Sequence, residues 1–213
     1  MTRSSPEPNH ALEQLLGAVR ACRVCVTDPS GKPLPHEPRP VIVAKANARL
    51  AICGQAPGLR VHASGVPFSD ASGQRLRAWM GVTPAQFYDG DQVAILPMGF
   101  CFPGYDAKGS DLPPRRECAP LWRQRVMAEL PDLELILAVG RYALAWHLPR
   151  DGKGPVMATV AAFGDIMARK GEGPCVVPLP HPSWRNTGWL KANPWFEAEL
   201  LPVLQARVRA VLR

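Results

Sequence analysis

Ala48-Arg-Leu-Ala-Ile-Cys-Gly-Gln-Ala-Pro-Gly58 is the stretch from which the fold can be read. Its first six residues are a short, mostly apolar run that reads as a buried strand, and Gln74-Arg-Leu-Arg-Ala-Trp-Met80 downstream has helical spacing. A strand that runs through a Gly/Pro loop into a helix brings backbone N–H groups to the carboxyl edge of a sheet, where α/β proteins bind ligands. Glycines at 54, 58, 65 and 73 let the backbone bend sharply or approach a flat ligand, while Phe68 and Asp70 offer a stacking face and a carboxylate. That combination suits a nucleobase. An ordinary βα turn would need the glycines only for the bend.

Outward from this stretch the chain alternates. Val93-Ala-Ile-Leu96, Leu133-Glu-Leu-Ile-Leu-Ala-Val139 and Cys175-Val-Val-Pro-Leu179 read as further buried strands. Helices are expected over Ala11–Arg20, from Pro84 with Thr83 as its N-cap, over Glu117–Leu130, from Gly140 through Trp146, around Ala158–Ala168 and over Pro194–Leu212. Val41–Ala44 and Arg49–Cys53 read as two strands joined by a tight turn, a hairpin or a near neighbour of one. Asp28–Pro40 and Phe100–Arg116 are rich in Pro and Gly and read as irregular loops. Alternation at this spacing predicts an α/β fold with a central, mostly parallel sheet covered on both faces, a three-layer α/β/α single domain over 1–213. Residues 1–21 are expected as a flexible start and N-terminal helix, and 22–40 as a cysteine-containing loop.

A chain of 213 residues suffices for one such core. It has no run of about 18 apolar residues, which argues against a membrane span. Met1–His10 lacks the apolar stretch of a signal peptide, so the expected compartment is the reducing cytoplasm. Six cysteines there read as metal ligands or buried thiols, with Cys53 and Cys175 inside apolar strands as core residues. The net charge of +7 raises the expectation of a polyanionic partner modestly.

The second informative stretch is His181-Pro-Ser-Trp-Arg-Asn-Thr-Gly-Trp189. A histidine just past a strand and held between two prolines has few backbone options and can be aimed into the crevice as a donor to a developing oxyanion. A histidine at a strand end can equally be satisfied by a backbone carbonyl. Ser183, Trp184, Arg185 and Asn186 beside it mix phosphate ligands with a planar wedge, the types that protein–DNA contacts use.

Gly54-Gln-Ala-Pro-Gly58, Gly65-Val-Pro-Phe-Ser-Asp-Ala-Ser-Gly73 and His181-Pro-Ser-Trp-Arg-Asn-Thr-Gly188, in this order, resemble the motifs of the uracil-DNA glycosylase superfamily. The likeness is nearest to its iron-sulfur families 4 and 5; Asn47-Ala-Arg-Leu50 and Gly140 fit too, and it extends from about Cys22 to Trp189. The resemblance implies a monofunctional base-excision repair enzyme that flips uracil out of DNA and hydrolyses its N-glycosidic bond, leaving an abasic site. It is expected to act as a monomer near the bacterial nucleoid. His181 then stabilises negative charge on uracil O2, Phe68 stacks on the base, and the backbone of Gly54, Gln55 and Ala56 holds its edge.

Two departures matter. Family 1 carries a catalytic Asp in the first motif and family 4 a Glu, where this chain has Ala56 and Gln55. As in family 5, Asp70 in the second motif is the expected water-orienting group, with Gln55 the runner-up; Asp70 also suits an Asx turn or a helix N-cap. The third strand usually ends in an Asn that reads the uracil edge, but here Pro97-Met-Gly99 follows, so Met98 and Gly99 or a distant side chain must select the base. The alternatives are another deaminated base, hypoxanthine or xanthine, and a non-catalytic binder of DNA or abasic sites. The resemblance also assigns Cys22, Cys25, Cys101 and Cys118 to a 4Fe-4S cluster, although four cysteines serve zinc equally well and the intervening spacer is unusual enough to leave no metal as a third reading.

Overall fold

Four strands, β1 (Leu50–Cys53), β2 (Val93–Ile95), β3 (Leu135–Val139) and β4 (Cys175–Leu179), form one sheet in the order β2-β1-β3-β4 with every pairing parallel. The computed structural model describes residues 10–169, 171 and 173–212; the flexible start expected before the first helix lies outside them. Strands β1 to β3 are buried at every residue, the pattern of a parallel sheet with both faces covered. Alternation along the strands divides the core. Ala51, Cys53, Ala94, Ile136 and Ala138 face one layer, and the larger Leu50, Ile52, Val93, Ile95, Leu137, Val139 and Val177 face the other.

The small-residue face is covered by α1 (His10–Arg20) through Leu12, Leu16 and Val19. Within the expected 22–40 loop, Cys25 sits in the short helix α2 (Val24–Thr27). After the first loop comes α3 (Leu59–Ser64), and on the large-residue face α4 (Ala71–Met80) and α5 (Pro84–Phe87) add Leu76, Trp79, Met80 and Phe87. Thr83 caps α5 in a reciprocal box with Gln86, as Pro84 at its first turn predicts. The expected Glu117–Leu130 helix opens with a wide π-type turn at Ala119–Arg123 and continues as α6 (Gln124–Ala128). After β3 come α7 (Arg141–His147), α8 (Val156–Ala161) and α9 (Phe163–Ala168); the helix expected around Ala158 is thus broken at Ala162. The chain ends through α10 (Thr187–Ala192), a second π-type turn at Phe196–Leu200 and α11 (Leu201–Val211), where Pro202 falls in the first turn and needs no N–H partner. This is the expected three-layer α/β/α fold.

One pairing differs from the sequence reading. Residues 41–44 make no hairpin with β1: Val43 bridges Ile95 antiparallel, with both N–H···O bonds formed. The reason is occupancy, because β2 and β3 take both sides of β1, so a strand cannot pair there and residues 41–44 lie instead on the outer edge of β2.

Candidate active site

The carboxyl ends of β1 and β3 lie at the point where the chain order reverses, β1 connecting outward to β2 on one side and β3 to β4 on the other. Ligands of open α/β sheets collect there. A cavity opens at this edge, lined by Gly54, Gln55 and Ala56 after β1, Phe68 and Asp70 before α4, and His181, Ser183, Trp184, Arg185 and Asn186 after β4. Three segments far apart in the chain thus meet at one crevice.

Phe68 is held in a costly conformation. Its φ of 53° is left-handed, which a bulky non-glycine residue seldom adopts. Its carbonyl accepts from Arg77 Nη1 at 3.2 Å and from the Tyr88 hydroxyl at 3.1 Å, and its ring sits edge-on to Phe87 at 5.9 Å. Gly73 is required here, since a Cβ at that position would collide with the Phe68 carbonyl. Gly54 lies close to the ring, where an added Cβ would stand 3.4 Å from the tip of the Phe68 side chain, in van der Waals contact. Strain fixed by so many partners marks a residue whose direction matters. The ring forms a wall of the cavity directly over the first loop.

Asp70 caps a helix, as expected, and lines the cavity as well. Its Oδ1 accepts from Gly73 N at 3.1 Å and caps α4, while Oδ2 takes no donor among the described residues and the side chain lines the cavity. His181 emerges from β4 with its backbone carbonyl accepting from Asn186 Nδ2 at 2.7 Å, so the loop side chain braces the histidine from behind. The imidazole ring itself is not tied to a carbonyl among the described residues. Burial holds the His181 pKa below its ordinary value against the pull of Asp70 and Asp111, with Arg185 adding to the decrease, so the ring is neutral at pH 7. Ser183 caps the 3-10 turn Trp184–Asn186 by accepting from Arg185 N at 3.2 Å. Arg75 anchors this turn from α4 through the Ser183 carbonyl and the Thr187 hydroxyl. Trp184 stands 76 % exposed at its tip.

Gln55 lines the cavity, but its amide donates to the Leu112 carbonyl at 3.2 Å, which makes it a tether for the 100–116 segment. Met98 and Gly99 are placed behind the first loop rather than in the cavity. Their N–H groups donate to the Gly54 and Gln55 carbonyls at 2.8 and 2.9 Å, and the Met98 side chain is in the core. Pro97 lines the cavity in their stead.

The sequence reading missed Asp111. It stands at the mouth of the same cavity, and partial burial raises its pKa although His181 and Arg185 pull it down. Nothing near it in sequence announces this role; the fold alone brings it beside His181. Arg123 was missed as well. It is 1 % exposed and has no carboxylate partner among the described residues: Nη1 donates to the Leu96 and Pro97 carbonyls at 2.6 and 3.1 Å, and Nη2 to Cys53 Sγ at 3.0 Å and His147 Nε2 at 2.6 Å. This cation ties the ends of β1 and β2 together beneath the cavity. Burial, with Arg123 beside it, pushes His147 down to about 3, so its ring accepts.

Away from the cavity, Cys22, Cys25, Cys101 and Cys118 line one apolar hollow. The thiols ring it without converging on a point, and among the described residues no three His, Cys, Asp or Glu side chains are set to hold a single ion. Each sulfur meets an N–H donor. Trp122 Nε1 donates to Cys22 and Phe100 N to Cys118, both at 3.3 Å, while the Arg115 side chain reaches Cys25 and the Arg39 backbone reaches Cys101. Burial pushes the Cys101 and Cys118 thiols up to about 12, so ionising this set requires a compensating cation. Cys53 and Cys175 lie apart in the strands; Cys53 is buried as expected, whereas Cys175 at the start of β4 is only half-buried.

No helix among the described residues is long and apolar enough to cross a membrane. A family model described as "Uracil DNA glycosylase superfamily" matches residues 41–205, which include all three motif segments and the whole sheet. With most of the chain matched and the cavity built from those segments, this chain belongs to the uracil DNA glycosylase superfamily, whose members are DNA-base glycosylases.

Proposed function

We propose that the chain is a monofunctional uracil-DNA glycosylase, a monomer that flips uracil into the cavity between Phe68 and His181 and hydrolyses its N-glycosidic bond. One observation carries the reading: neutral His181 and the Asp70 carboxylate face the same cavity, whose wall is the strained Phe68 ring. Cleavage through an oxocarbenium-like sugar leaves negative charge on uracil O2. The N–H of His181 is the donor for that charge, in a site where burial strengthens the interaction. The free oxygen of Asp70 orients the attacking water and favours the cationic sugar, while the backbone of Gly54, Gln55 and Ala56 meets the base edge. Trp184 fills the place the base vacates, and Ser183, Arg185 and Asn186 hold the backbone around it.

The cysteine hollow suits a 4Fe-4S cluster held by Cys22, Cys25, Cys101 and Cys118, with the four N–H donors as the hydrogen bonds that cluster sulfurs receive. Such a group would link the 22–40 loop to the segment that opens at Cys101, away from the base. Anaerobically purified protein is then expected to show broad visible absorption that Cys101→Ser abolishes; iron and zinc analysis distinguishes the cluster from a zinc site, and colourless, iron-free protein refutes it.

A second reading is favoured by Met98 and Gly99. Their N–H groups are spent on the first loop and no Asn is present there, so base choice is looser and a deaminated purine, hypoxanthine or xanthine, is a further substrate. The deciding experiment offers uracil, hypoxanthine and xanthine in single strands and duplexes and measures free base and alkali-labile sites. Uracil release supports the first reading, purine release the second, and no release from any substrate at excess enzyme refutes both in favour of a DNA binder.

A further inference from the structure

Residues 104–112 form a closed hairpin where the sequence suggests an irregular loop. Leu112 N donates to Gly104 O at 2.9 Å, Asp106 N to Ser110 O at 2.8 Å, and Tyr105 and Asp111 pair across the two arms. Asp106 Oδ1 accepts from Lys108 N and Ser110 N, both at 2.8 Å, which locks the turn. The base is fixed by the Gln55 tether to Leu112 and by Gly104, whose φ of 96° brings it against Pro35. This element is rigid, and it lines the cavity through Tyr105, Gly109 and Asp111. Tyr105 is 49 % exposed, with its ring edge-on to the buried Phe102 at 5.1 Å. An edge-on footing leaves a ring face outward. Lys108 is exposed at the tip.

We infer that Tyr105 is a stacking platform for the base next to the flipped nucleotide, and that it makes single-stranded DNA the preferred substrate; this deepens the glycosylase reading and rests on it. A rigid aromatic beside a basic group is the combination that single strands bind, because every base has a face to stack. The duplex profits less. There, both faces of a neighbouring base are already stacked except at the vacated place, which Trp184 on the opposite loop fills. In a single strand the adjacent base has a free face and the backbone can bend to lay it on Tyr105.

The test uses the full chain and a fluorescent oligonucleotide without uracil, as a single strand and as a duplex, so that binding is read without cleavage. Tyr105→Ala is expected to weaken single-strand binding about tenfold, within the range for one stacked base, and duplex binding by less than about threefold. Tyr105→Phe, which keeps the ring, is expected to bind both like the wild type, and a thermal melt shows whether either variant is folded. Equal losses on both substrates, no loss on the single strand, or a loss in Tyr105→Phe as large as in Tyr105→Ala overturns the inference. Wild-type protein that binds single strands through Tyr105 yet releases no base sustains the platform and refutes the glycosylase reading. Protein that releases uracil while Tyr105→Ala binds single strands unchanged does the reverse.

Discussion

Asp70 is the residue at which a structural and a chemical role separate most cleanly. Its Oδ1 caps the ten-residue helix α4 through Gly73 N at 3.1 Å, and the same carboxylate lines the cavity that His181 enters. Asn caps a helix as well as Asp does, whereas Ala loses about 1 kcal/mol. Asp70→Asn gives up only the favourable charge at the helix start, about 0.3 to 1 kcal/mol. For a chain of this size 1 kcal/mol moves Tm by about 2 to 4 °C, so Asp70→Asn should melt within that range of the wild type and Asp70→Ala below it. Turnover should respond differently. If the carboxylate orients water and supports the cationic sugar, both variants lose at least about 10²-fold, roughly 2.7 kcal/mol of barrier, the scale of one preorganised group. The assay is single-turnover release of uracil at saturating enzyme, which reads the bound step without affinity, alongside calorimetric melting. An Asp70→Asn variant that melts normally and turns over at the wild-type rate refutes the chemical role and leaves the cap. Loss of turnover in Gln55→Ala instead would move the water-orienting role to the first loop.

The remaining predictions concern protonation and charge. His181→Ala should lower single-turnover release by at least about 10²-fold while DNA affinity stays near wild type, and a smaller loss contradicts the oxyanion-donor role. Asp111 favours the charged form of His181, so Asp111→Asn should lower that pKa further and move the acid limb of the kcat/KM profile to lower pH; an unmoved limb shows that the two do not communicate. His147 has a folded pKa depressed from 6.5 to about 3, so the unfolded chain binds its proton first. The stability involved is fully present above pH 6.5 and is lost as pH falls toward 3, on the order of 5 kcal/mol at about 1.4 kcal/mol per unit. His147→Gln keeps an acceptor for Arg123 and should flatten the fall in urea midpoint between neutral and acid pH; parallel profiles for variant and wild type refute this.

The sequence by itself determined the features that local chemistry writes into a short window. Apolar runs marked β1 to β4, because a parallel strand buried on both faces has no polar alternation. Thr83-Pro84 marked the start of α5, and the glycines at 54 and 73 marked where backbone passes close to Phe68. The three motif segments each carried their own composition, so His181, Asp70 and Phe68 were legible before any contact was known. Tertiary structure decided what depends on long-range pairing. Residues 41–44 have strand composition, but only the occupancy of both sides of β1 sends them to the edge of β2. Met98 and Gly99 follow a strand that points at the cavity, yet hydrogen bonds to the first loop turn their N–H groups away. Tyr105 and Asp111 lie in a Pro/Gly-rich loop with no periodicity, and their place opposite His181 follows from a hairpin anchored more than fifty residues away, at Gln55. Arg123 reads as one more surface cation on a helix, and only burial against carbonyls, a thiol and a neutral imidazole reveals it as the tie beneath the site.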